Sequence, residues 1–141
     1  MLLTAGLVCA LDLLVMVMVD RFLDHRIAIL GSFIGLERSF NDGVAFSVHL
    51  PAQGLLVIVA LTLVIIAAIR SERTRLNAVA FGLIIGGALG NIVDRLIDGL
   101  VTDYVQLGTF PVFNLADSCV TIGVALLALE IVVTWWIRKE D

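Results

Sequence analysis

Thirteen Asp and Glu residues occur in this 141-residue chain, and five of them lie in or beside long apolar stretches: Asp12, Asp94, Asp103, Asp117 and Glu130. An ionised carboxylate at the centre of a bilayer costs ~2.5 to 3.5 kcal/mol on insertion scales, so each needs a reason to be there. Asp117 follows Phe113-Asn114-Leu115-Ala116 at the start of an apolar run. Asn114 and Asp117 stand three residues apart and share a helix face. That spacing fits an N-terminal cap, with Asn at the cap and an acid at the third helical position. It also fits chemistry once a second acid is placed beside it. Asp103, within Val101-Thr102-Asp103-Tyr104-Val105, is flanked by residues that favour an extended, half-buried backbone. The short link to Asp117 lets the chain turn back and bring the two together. Two close carboxylates cannot both ionise easily; one proton is shared, leaving one group to act as base and the other as acid. Such a pair can activate water against an amide.

Other catalytic arrangements find less support. His25 and His49 lack the spacing of a zinc site, and no organic cofactor or metal is expected. Ser47 and His49 are alternate residues of an extended stretch, and Cys119 has no base nearby in sequence. Cys9 and Cys119, the two cysteines, sit in apolar runs and read as small core residues rather than a disulfide or metal cluster. Asn91 and Arg95 share a helix face, and Arg95 is suited either to a substrate carbonyl or to holding loop backbone. Asp12 reads as a buried hydrogen-bonding residue, and Glu130 as one that snorkels or bonds within the bundle.

The elements that must position these groups are membrane helices. Hydrophobic residues make up 60% of the chain and charged residues only 16%, against about 25% charged in soluble domains. A net charge of -4 leaves no basic face for phosphates, so no nucleic-acid partner is expected. The expected fold is an all-α membrane protein with four transmembrane helices, a small β element and short extracytoplasmic loops, forming a single domain over residues 1–141. The spans fall at about residues 1–19, 51–69, 76–93 and 114–137. The first is read as a retained helix, because it carries Asp12 and no preceding Lys or Arg. An insert at residues 20–50 mixes β-branched, aromatic and Gly residues with Asn41-Asp42-Gly43, which suggests short strands and a tight turn. Residues 94–113 form the catalytic loop. Gly82, Gly86 and Gly90 recur every four residues, a small-residue face that admits another helix closely. Arg70, Arg73 and Arg75 between spans two and three, with Arg138 and Lys139 after span four, place both termini in the cytoplasm. Both chemically interesting loops then share the outer face.

Taken in order, Asn41-Asp42-Gly43-Val44-Ala45-Phe46, Gly86-Gly87-Ala88-Leu89-Gly90-Asn91-Ile92-Val93-Asp94-Arg95, Val101-Thr102-Asp103-Tyr104 and Phe113-Asn114-Leu115-Ala116-Asp117 resemble the motifs of the lipoprotein signal peptidase family. The resemblance covers roughly residues 12–125. It implies an aspartyl endopeptidase of the bacterial inner membrane, signal peptidase II, which cuts diacylglyceryl-modified prolipoproteins N-terminal to the lipidated cysteine. By that resemblance Asp103 and Asp117 are catalytic, and Asn41, Asn91, Arg95 and Asn114 bind substrate or support the site. Lipidated prolipoproteins and membrane lipid are the implied partners of a monomeric enzyme. It also implies a small β platform and a short periplasmic helix. The family's first-span Asp-Gln, with Lys four residues after the Asp, is here Asp12-Leu13 with Met16, which weakens the transfer of family roles to that span, and Tyr104 stands where Phe often follows the family's Asp, a mild change. An ion translocator would thread its acids across the membrane, whereas these gather at one end. An assembly subunit would use the glycine face but leave the polar motifs unexplained.

Overall fold

A computed structural model describes residues 1–43, 53–72 and 74–140. Four helices and a four-stranded antiparallel sheet alternate along the chain: α1 (Leu2–Phe22), β1 (Ile27–Leu30), β2 (Ile34–Asn41), α2 (Gln53–Arg70), α3 (Arg75–Asp98), β3 (Val101–Leu107), β4 (Phe110–Phe113) and α4 (Leu115–Glu140). The sheet order is β1-β2-β3-β4. Helices α1, α3 and α4 are long and apolar enough to cross a membrane, and α2 is a shorter apolar helix. Among the described residues there is no further helix. Residues 44–52, with Val44, Ala45, Phe46, Ser47, His49 and Pro51 of the motifs above, lie outside them, as does Arg73.

The central helix is α3, which packs most extensively against α4 and α1. Its glycine face explains how. A Cβ on Gly86 would lie 2.6 Å from the Ala5 carbonyl oxygen and 2.8 Å from Val8 Cβ, and one on Gly90 would collide with the Asp12 carboxylate. The backbones of α1 and α3 therefore approach as only small residues allow. On α1 the buried residues Ala5, Asp12, Met16 and Val19 form one stripe, the helical spacing of a single packed face. Met16 fills this stripe with an apolar side chain. Ala5, Phe81 and Ile85 form a core onto which Leu61, Val64 and Ala68 of α2 close. Two other polar expectations are met locally. Glu130 accepts a hydrogen bond from the Thr74 hydroxyl at 3.1 Å, tying α4 to the cap of α3, and both cysteines are free thiols.

Two details differ from the sequence reading. Helix α3 runs to Asp98 rather than ending near residue 93, so Asp94 and Arg95 are helical. The stop is Gly99, whose left-handed backbone (φ 89°) closes the last turn with a 2.9 Å bond to the Arg95 carbonyl. The turn joining β1 to β2 is made at residues 31–33 around Gly31 (φ 54°). Asn41-Asp42-Gly43 instead follows β2, where the Asn41 side-chain oxygen accepts the Gly43 N–H at 2.9 Å. That side-chain-to-backbone bond, the mark of an Asx turn, competes with strand continuation.

The glycine packing yields a prediction. Gly86→Val forces α1 and α3 apart and should destabilise the purified protein by about 1–3 kcal/mol, read as a lowered melting temperature in detergent. Gly6→Ala, where a Cβ meets nothing within 4 Å, should leave it unchanged. Equal behaviour of the two variants would show that the helices do not depend on this contact.

Candidate active site

The first turn of a helix exposes N–H groups with no partner in the helix itself, and Asn114 at the start of α4 supplies one of the acceptors. Its Oδ1 accepts the Asp117 N–H at 2.8 Å, while its own N–H donates to Asp117 Oδ2 at 3.4 Å. The cap expected from the Asn114/Asp117 spacing is therefore present. It is also part of something larger. Asn114 Nδ2 donates to Asp103 Oδ1 at 3.0 Å and to Asn91 Oδ1 at 2.9 Å, and Asn91 Nδ2 donates to Asp117 Oδ1 at 2.9 Å. The carboxylates of Asp103 and Asp117 are thus joined by a continuous chain of two amides. The Asn114 carbonyl accepts from the Ser118 N–H and hydroxyl, so each of its polar atoms has a partner.

Asp103 comes to this point on β3. It is paired with Ser39 of β2, and Asn41 is the next residue of β2 on the same face of the sheet. From there Asn41 Nδ2 donates to Asp103 Oδ2 at 3.0 Å. Far from an exposed loop acid, Asp103 is 2% exposed. Burial pushes its carboxyl up to about 7, with the Asp117 charge adding to the rise while the Asn41 hydrogen bond and the Arg95 charge hold it down. Desolvation outweighs these two stabilising contacts because the charged form loses its water.

The remaining polar residues hold the frame. Arg95 Nη2 donates to the Gly43 carbonyl at 2.6 Å, the backbone-holding option of the two considered for it. Asp94 is buried and accepts the Thr102 N–H at 2.6 Å, fixing the start of β3 to the end of α3. Asp12, also buried, accepts the Ala116 N–H at 2.9 Å. Tyr104 accepts the Leu115 N–H on its hydroxyl at 3.1 Å. These last two contacts with α4 went unassigned in the sequence, although the unpaired amides of a buried helix start require acceptors from somewhere. His25 is elsewhere, paired with Asp24 at 2.6 Å on an exposed turn.

Asp117 opens onto a cavity of about 630 Å³. Its polar wall is made by Asn41, Asn91, Arg95, Asp117, Ser118 and Thr121, and its apolar wall by Val57, Ala88, Val101 and Leu107 with residues 110–113 and 120–122. Ile122, on that wall, is exposed on the outside of the bundle. The cavity is bounded by α2, α3, α4 and the β3–β4 hairpin. A mostly apolar chamber with a few polar groups at one end is the form of a site for a largely apolar ligand.

The chain matches the family described as signal peptidase (SPase) II over residues 4–133. It is 39% identical over 137 residues to a lipoprotein signal peptidase of Shouchella clausii, spanning 92% of this chain and 90% of the relative. To a lipoprotein signal peptidase of Caldicellulosiruptor bescii it is 37% identical over 112 residues, spanning 78% and 75%. A solved structure described as a bacterial membrane enzyme at 2.3 Å resolution superposes with a TM-score of 0.85 at 26% identity, covering 99% of this chain and 91% of that one. Helices of membrane-crossing length, a carboxylate at the edge of an apolar chamber and a match along nearly the whole sequence agree, and this multi-pass membrane protein belongs to the signal peptidase II family.

Proposed function

We propose that this chain is the endopeptidase that removes signal peptides from diacylglyceryl-modified prolipoproteins, cutting N-terminal to the lipidated cysteine, with Asp103 and Asp117 as its catalytic pair. The observation that carries this is the amide link that joins Asp117, on the wall of an apolar cavity, to the buried carboxyl of Asp103. Asp117 faces the cavity and is the base that takes a proton from water. Asp103, buried behind it, holds the proton that passes to the scissile carbonyl oxygen as the water attacks. Collapse of the tetrahedral intermediate returns a proton to the departing amine. Asn41, Asn91 and Asn114 hold the carboxylates in place, and Arg95 holds the Gly43 backbone at the cavity edge, within reach of a substrate carbonyl.

The same reading places the protein in the bacterial inner membrane as one four-span domain with both termini in the cytoplasm. Arg70 and Arg75 lie at the end of the bundle opposite the sheet, where the excess of basic residues belongs on the cytoplasmic side. Trp135 and Trp136 are exposed near the same end, at the level of an interfacial belt. The sheet and the catalytic pair then face outward. The substrate's acyl chains stay in lipid while its cleavage segment enters the cavity between α2 and α4.

Three outcomes test this reading. Asp103→Asn and Asp117→Asn should each lower cleavage of a lipidated precursor roughly 10³-fold or more, followed by gel shift; substantial cleavage by either variant removes the pair from the mechanism. The active form carries one proton on the pair, so the rate should follow a bell-shaped pH profile whose alkaline limb lies at or above about 7, where Asp103 loses its proton. A rate still rising at pH 9 contradicts it. The third concerns stability. Because the folded pKa of Asp103 is raised, folding is unaffected by it at low pH and is progressively opposed as pH climbs from the ordinary carboxyl value toward about 7. The melting temperature of the parent should therefore decline across that window, and the decline should be shallower in Asp103→Asn. Identical slopes would mean that Asp103 is not held protonated.

A further inference from the structure

The start of α4 is fixed by two other elements and by its own cap. Its first three amides donate to Tyr104 of β3 (Leu115 N, 3.1 Å), Asp12 of α1 (Ala116 N, 2.9 Å) and its own cap Asn114 (Asp117 N, 2.8 Å). Tyr104 is the neighbour of Asp103 on β3, and successive residues of a strand point to opposite faces. The strand therefore grips α4 twice, once through Asp103 and Asn114 on one face and once through the Tyr104 hydroxyl on the other. The tyrosine ring is buried among Val19 and Leu23 and packs against Val15 and Leu115, so its hydroxyl has one place to be.

We infer that Tyr104 is a positioning residue that sets the separation of the two carboxylates, its hydroxyl clamping the first turn of α4 to the strand that carries Asp103. This rests on the assignment of Asp103 and Asp117 as the catalytic pair. Phenylalanine fills the same space but leaves the Leu115 amide without its acceptor, freeing the α4 start to move away from β3. The electrostatic coupling between two carboxylates falls with distance. The two apparent pKa values of a proton-sharing pair are kept apart by that coupling, so a looser pair draws them together.

The experiment is the pH profile of cleavage by the full-length protein in detergent, on a precursor bearing a diacylglyceryl cysteine, for the parent and Tyr104→Phe. Charged and titratable groups near the pair are Asp94 and Arg95 of α3 and Asp12 of α1, Tyr104 itself faces Asp12 and Cys119, and β2 presents the neutral Ser39 and Asn41. The substitution removes none of them. Burial raises the Tyr104 hydroxyl to about 12, so it does not itself titrate in the range measured. The variant should show kcat lower by roughly tenfold, KM within about twofold by the same argument, and a bell narrowed from both sides. Because stability itself falls as pH rises, the folded fraction is read by circular dichroism at each pH and divided out, so a loss of folded protein cannot imitate the result. A bell as wide as the parent's, whatever its height, overturns the inference. Asp103→Asn and Asp117→Asn run alongside: cleavage by either defeats the catalytic-pair reading, whereas inactivity of both with a parent-width bell in Tyr104→Phe defeats only the clamp.

Discussion

Two carboxylates placed close together in an apolar surrounding repel each other and lose their water, and an arrangement that keeps them there must supply hydrogen bonds that hold both. In this protein Asn114 is the residue that does so. It starts α4, caps Asp117 and reaches Asp103 and Asn91 with the two hydrogens of one amide. Removing it would leave Asp103 to Asn41 and Asp117 to Asn91, break the link between them and uncap the helix that carries Asp117. The rest of the structure is organised to bring β3, α3 and α4 to that one side chain.

Helix α3 makes the convergence possible. Its glycines let α1 pack close enough for Asp12 to pass beside Gly90 and reach the amide of Ala116. On the same helix Asn91, Asp94 and Arg95 reach the pair, the start of β3 and the Gly43 carbonyl respectively. Helix α2 takes no direct part in this network among the described residues. Its contribution is Val57 on the cavity wall and an apolar surface against α3. The chamber thus has a hydrogen-bonded polar end and an apolar flank.

Much of this was legible in the sequence because membrane insertion penalises charge. Asp117 one turn into an apolar run, and Asp103 in a β-branched stretch a short link away, had to be held by something. The Asn114/Asp117 spacing named both a cap and a candidate site, and the structure contains that cap within the network that reaches Asp103. The glycine repeat announced a close helix contact, but periodicity alone could not say that α1 was the partner. The end of α3 was placed about one turn short because Asp94, Arg95 and Asp98 look like loop residues; their charges are exposed or satisfied by the sheet, which a linear pattern does not reveal. Asp12 is the buried hydrogen-bonding residue expected of it, but its partner on α4, like the role of Tyr104, was missed for a related reason. Their hydrogen bonds join residues 104 and 11 positions apart, which a linear pattern does not connect.

The proposed mechanism requires a single proton shared by Asp103 and Asp117. Infrared difference spectroscopy of the purified protein reads this directly, because a protonated carboxyl has a carbonyl stretch distinct from that of a carboxylate. A band present at pH 5, lost on titration through about 7, absent from Asp103→Asn and displaced in Asp117→Asn is the predicted result. A spectrum in which Asp103 contributes only carboxylate bands at pH 5 would contradict it.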